Sequence, residues 1–79
     1  MAGSITMGQN LQRLRQEAGL SQSALAKAAG VPIGSLRNWE QDRRKPSLDA
    51  AGRIADALGV PLSDLRPAGE AKRQNRKRR

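Results

Sequence analysis

Three times within the first 59 residues the same order recurs: a hydroxyl residue, a short apolar run of helical period, then a glycine. The three stretches are Thr6 to Gly19, Ser21 to Gly30 and Ser47 to Gly59. A hydroxyl before a helix accepts one of its unpaired first-turn N–H groups, and a glycine after it supplies the left-handed residue that closes the last turn. The chain is thereby restricted to short helices with tight connections. Thr6 with Gln9 makes a capping box, and Met7, Leu11, Leu14 and Ala18 share one face of the helix that follows. A second helix is predicted from Gln22 to Ala29, with Leu25, Ala26 and Ala29 inward. Pro32 at a first helical position opens a third, to about Gln41, with Leu36 and Trp39 inward. The fourth carries Leu48, Ala51, Ile54, Ala55 and Leu58, and Pro61 to Leu65 allow at most two turns of a fifth. No stretch alternates with period two, so the expected class is all-α.

Composition limits what such a body can do. The chain has 79 residues, no cysteine, no histidine and a net charge of +8. Disulfides, thiolate metal sites, cysteine nucleophiles and the commonest general base are absent, and no cofactor, metal or small-molecule substrate is expected. Asp42, Asp49, Asp56 and Asp64 are too scattered to pair as catalytic carboxylates, so an enzyme is not expected. The longest mainly apolar stretch, Ala24 to Ile33, is interrupted by Lys27, Gly30 and Pro32 and is too short for a membrane span. The first basic residue is Arg13, which does not fit a secretory leader, and the expected location is cytoplasmic. Six of the basic residues fall in positions 70–79, which contain no large apolar side chain. The chain therefore divides into a globular body, 5–66, and a basic tail, 67–79, expected to be disordered. Its charge suits a polyanionic partner.

The stretch Gln22 to Glu40 holds two short helices around a glycine turn. Such a pair crosses steeply only with a small side chain at the crossing and a turn residue tolerant of positive φ, which Ala26 and Gly30 provide. Ile33, Gly34, Ser35, Arg37 and Asn38 then remain on the outer side of the third helix, a narrow face able to enter a DNA major groove about 12 Å wide. Leu14-Arg15, Gly19-Leu20-Ser21-Gln22, Leu25-Ala26, Ala29-Gly30-Val31, Ser35-Leu36, Trp39-Glu40, Arg44-Lys45-Pro46-Ser47-Leu48, Ile54-Ala55 and Ala57-Leu58-Gly59-Val60 stand in matching order and spacing. In these the chain resembles the helix-turn-helix family of phage repressors and Cro proteins, over about Leu11 to Leu65.

The resemblance implies a five-helix repressor-like domain that binds double-stranded DNA with its third helix in the major groove, often as a homodimer. It assigns Gln22, with Ser23 nearby, to a phosphate. Ile33, Gly34 and Asn38 match base-reading positions, Ser35 a base or backbone contact, Arg37 a phosphate-facing flank, and Arg43, Arg44 and Lys45 the backbone-contacting loop. Asn38 is the one good bidentate reader, suited to adenine, while Ile33 suits a thymine methyl and Gly34 a close approach. Arg15 and Glu40 match an interhelical charge pair, and Leu62, Leu65 and Arg66 a dimer surface. Trp39 reads as a core plug, with base stacking the alternative. The tail reads as a DNA-affinity arm. A second functional class stays open, an antitoxin or coactivator-like adapter acting mainly through a protein partner.

Overall fold

The computed structural model describes residues 5–65. Four α-helices, α1 (Met7–Glu17), α2 (Gln22–Ala29), α3 (Ile33–Glu40) and α4 (Leu48–Leu58), are followed by a 3₁₀ turn, Leu62–Leu65. The described residues contain no strand. Thr6, Ser21 and Ser47 accept hydrogen bonds from the backbone N–H of Gln9, Ala24 and Ala50, each three residues on, and the capping box of Thr6 and Gln9 is complete. The tail and Arg66 lie outside the described residues.

Helix α2 packs against α3 and α4, α1 against α3, and the 3₁₀ turn against α4 and α1. Leu11, Leu25, Leu36, Ile54 and Leu65 are fully buried between these elements, with Ala26, Ala29, Ala51 and Ala55 filling the close crossings. Val31 and Trp39 pack on this core while partly exposed, which gives Trp39 the role of a plug. The turn between α2 and α3 follows from Gly30, at φ 71°, whose neighbour Val31 donates its N–H to the Ala26 carbonyl at 3.0 Å. A left-handed residue there reverses the chain without a loop, so α3 starts directly against α2.

Several expectations are corrected. Pro32 is the N-cap of α3, one position before the helix, with ψ 140°. Its ring fixes φ at −65°, which the extended N-cap position also accepts. Ala18 is the C-cap of α1 and exposed, because the helix ends before it can reach the core. Leu48 is 73% exposed: as the first residue of α4 it stands one turn before the segment that Ala51, Ile54 and Ala55 bury. Among the described residues, the expected fifth helix is represented by the 3₁₀ turn Leu62–Leu65, directly after Pro61.

That turn is held by a residue without any sequence signal. Asn10, buried in α1, donates its amide N–H groups to the carbonyls of Asp64 at 2.7 Å and Leu65 at 3.0 Å, and its own carbonyl accepts from Arg13 at 2.6 Å. Leu65 is consequently drawn into the core at 1% exposure, and it is not part of a dimer surface as expected. Of the three residues assigned to such a surface, Leu62 alone is both described and exposed.

Candidate nucleic-acid interface

Burial divides α3 into two faces. Leu36 and Glu40 are buried, and Ile33 and Trp39 pack partly on the core. Gly34 and Arg37 are exposed and Asn38 is half-buried, and this spacing of three and four residues sets all three on the opposite stripe. Ser35, half-buried, lies at its margin. Gln41, the exposed C-cap residue, continues the stripe three residues beyond Asn38 and four beyond Arg37, and it is an addition to the set expected from sequence. The same spacing rule, carried one turn further, reaches it. Ile33 divides itself between the core and this face, leaving only part of its side chain for an outside contact.

Gly34 is informative because the fold does not require it. A Cβ built there has open space around it, whereas the interior of a helix favours alanine over glycine. Its absence of side chain leaves room on the outer face alone.

A buried ionic cluster fixes α3 in place. The Glu40 carboxylate accepts from Arg15 Nε at 2.7 Å and Arg15 Nη2 at 3.3 Å, and from the Gln22 side-chain amide at 3.0 Å. Arg15 also donates to the Leu20 carbonyl at 2.9 Å. The side chain of Glu40 is 1% exposed and that of Arg15 11%, so the pair implied by the resemblance exists and is nearly dry. One carboxylate thus ties the end of α3 to α1 and to the first residue of α2. Gln22 is half-buried in this cluster, and one of its amide N–H groups is committed to Glu40. Its second N–H makes no hydrogen bond to a described residue, and Ser23 beside it is exposed.

The other cations sort by position. Arg13 pairs with Glu17 at 2.9 Å and Arg53 with Asp49 at 3.1 Å, both across one helical turn. Arg37, Arg43, Arg44 and Lys45 make no salt bridge to a described residue, nor does Lys27 on α2. Arg43, Arg44 and Lys45 are all exposed in the loop that leaves α3. Four positive charges without an acidic partner among the described residues therefore stand on or directly after the helix whose outer stripe is small and polar. Geometry and charge together offer a shallow cationic ridge, suited to a grooved polyanion.

The helix-turn-helix family matches residues 11–65 of this sequence. The chain belongs to that family. Its relatives include the immunity repressor protein of Bacillus phage phi105, 37% identical over 61 residues, which are 77% of this chain and 42% of the repressor. The chain thus spans less than half the length of that relative. Among solved structures, the restriction-modification controller protein C.AhdI of Aeromonas hydrophila matches with a TM-score of 0.73 and 34% identity, covering 75% of this chain and 89% of that one. SinR, described as the master regulator for biofilm formation and solved in complex with DNA, matches with a TM-score of 0.73 and 31% identity, covering 76% and 97%. Among the described residues, no helix of this family member is long and apolar enough to cross a membrane.

Proposed function

We propose that this helix-turn-helix protein is a double-stranded DNA-binding transcriptional regulator that lays the outer stripe of α3 in the major groove. The carrying observation is the placement of Arg37, Arg43, Arg44 and Lys45, unpaired with any described acid, beside the stripe of Gly34, Arg37, Asn38 and Gln41. The match to SinR, solved with DNA, supports the same reading. Asn38 reads a base edge, with adenine its best bidentate partner, and Gly34 admits the groove wall closely. Ile33 offers its free edge to a thymine methyl and Ser35 touches a base or the sugar-phosphate chain. Arg37, the 43–45 loop, Gln22 through its uncommitted N–H, and Ser23 hold phosphates and set the register. With one strong reader, part of the sequence preference comes from the shape of the duplex.

The basic residues of positions 70–79 add affinity without selectivity. If all six neutralise phosphates, their removal lessens the slope of log K against log salt by about 5, at ~0.9 per phosphate. A symmetric dimer would meet half-sites about 34 Å apart, or a multiple of that. Leu62 is its exposed apolar candidate, and light scattering on the full chain at increasing concentration reads the association state.

Selection of bound duplexes from a random pool, at two salt concentrations, tests the proposal. Enrichment of a consensus that persists at the higher salt supports a specific regulator. Retention without any consensus contradicts it and favours the adapter class, in which another protein carries the specificity.

A further inference from the structure

All four α-helices end alike. The residue that follows the last turn is left-handed, and the N–H of its successor closes on a carbonyl five residues back: Leu20 on Arg15, Val31 on Ala26, Arg43 on Asn38 and Val60 on Ala55. Three of these ends use glycine, Gly19, Gly30 and Gly59, at φ 75°, 71° and 74°. The fourth, at the end of α3, uses Asp42 at φ 61°. A side chain is strained in that conformation, and aspartate usually tolerates it by bonding to its own neighbourhood.

Asp42 bonds instead to the other end of the domain. Its Oδ1 accepts the backbone N–H of Gly8 at 2.9 Å, and its Oδ2 accepts the hydroxyl of Thr6 at 2.6 Å. The Thr6 oxygen meanwhile accepts from Gln9 N–H at 3.0 Å, so both sides of that hydroxyl are used. A carboxylate at the start of α1 also meets the positive end of the helix dipole. The approach is close: a Cβ on Gly8 would lie 2.6 Å from the carbonyl oxygens of Trp39 and Glu40, so only glycine admits this contact.

We infer that Asp42 is a positioning residue for DNA binding, clamping the first turn of α1 to the exit of α3 so that Arg43, Arg44 and Lys45 leave at a fixed place beside the outer stripe. This rests on the proposed DNA contact of that loop. The clamp carries its own means of discrimination, because charge and position act in opposite directions. Asp42 brings a negative charge next to three cations that meet phosphate, so electrostatics alone makes its removal strengthen binding. Loss of the loop's place makes it weaken binding.

The test uses the full chain and the variants D42N and D42G, with binding to a labelled mixed-sequence duplex followed by fluorescence anisotropy over a series of salt concentrations. D42G keeps the left-handed backbone without strain and loses both long-range bonds. D42N keeps the shape and loses the charge. The expected result is that D42G binds about three- to tenfold more weakly despite its extra net positive charge, with a salt slope smaller by about 1–2, at ~0.9 per phosphate no longer neutralised. D42N falls between it and the parent, both variants retain a cooperative melt by circular dichroism, and the Gly8 amide exchanges faster in both. Equal or tighter binding with an unchanged or steeper slope overturns the clamp. So does loss of the folded state in both variants, which makes Asp42 a folding residue. Failure of the underlying reading is seen elsewhere, in a parent chain that does not bind the duplex even at low salt.

Discussion

The end of α3 has two charged regions, and they use charge in opposite ways. On its inner side Glu40 is almost dry, with both carboxylate oxygens occupied by Arg15 and Gln22. On its outer side, beginning three residues later, Arg43, Arg44 and Lys45 are exposed with no described acidic partner. A paired buried charge fixes architecture, because either member alone would be left unsolvated. An unpaired exposed charge adds little to folding and remains available to a phosphate. Asp42 sits between the two and connects them, its carboxylate turned to α1 and its successor opening the cationic loop.

The largest effect should come from breaking the inner side. Glu40→Ala leaves Arg15 buried without a counter-charge, and a cost on the order of 3–5 kcal/mol is expected. In a domain this small that is much of the total stability, and urea denaturation followed by circular dichroism should show a large drop in midpoint. On the outer side, a triple change of Arg43, Arg44 and Lys45 to alanine should leave the melt nearly where it was. Its salt slope for duplex binding should fall by about 2–3, at ~0.9 per phosphate. A large loss of stability from that triple variant would erase the contrast.

A smaller effect tests the reading face itself. Gly34→Ala has open space to occupy and should stabilise the helix by about 0.5–1 kcal/mol while weakening duplex binding. Opposite signs in calorimetry and in binding distinguish a glycine kept for the groove from one of no consequence. The smallest effects belong to the one-turn surface pairs. Glu17→Gln or Asp49→Asn should change stability by about 0.5 kcal/mol or less, since Arg13–Glu17 and Arg53–Asp49 are at least half exposed. A shift in either melt comparable to that of Glu40→Ala would show that burial is not what separates the pairs.

Local features are legible in the sequence and distant ones are not. The caps at Thr6, Ser21 and Ser47, the turn at Gly30 and the inner residues of α2 each depend on neighbours within a few positions, and the chain spells them out. The outer stripe of α3 follows from helical spacing, with Gln41 the harder member to see because it lies at the C-cap. Arg15 with Glu40 comes from the resemblance, since nothing local relates residues 25 apart. Asn10 and Asp42 have no signal, because their partners lie more than 30 residues away and a polar side chain in the sequence does not reveal its acceptor. Leu48 and Leu65 depart from expectation for a related reason: helical period gives the face of a residue, but only the neighbouring elements decide where along that face the cover begins and ends.

The most direct measurement is backbone amide shift mapping by nuclear magnetic resonance, during titration of the full chain with a duplex chosen from the selected pool. Shifts concentrated on Gly34 to Asn38, Gln41 and residues 43–45, with the exposed α4 positions Asp49, Arg53 and Asp56 unmoved, are the result expected. Shifts centred on α4 or the 3₁₀ turn, with the α3 stripe silent, would contradict the account.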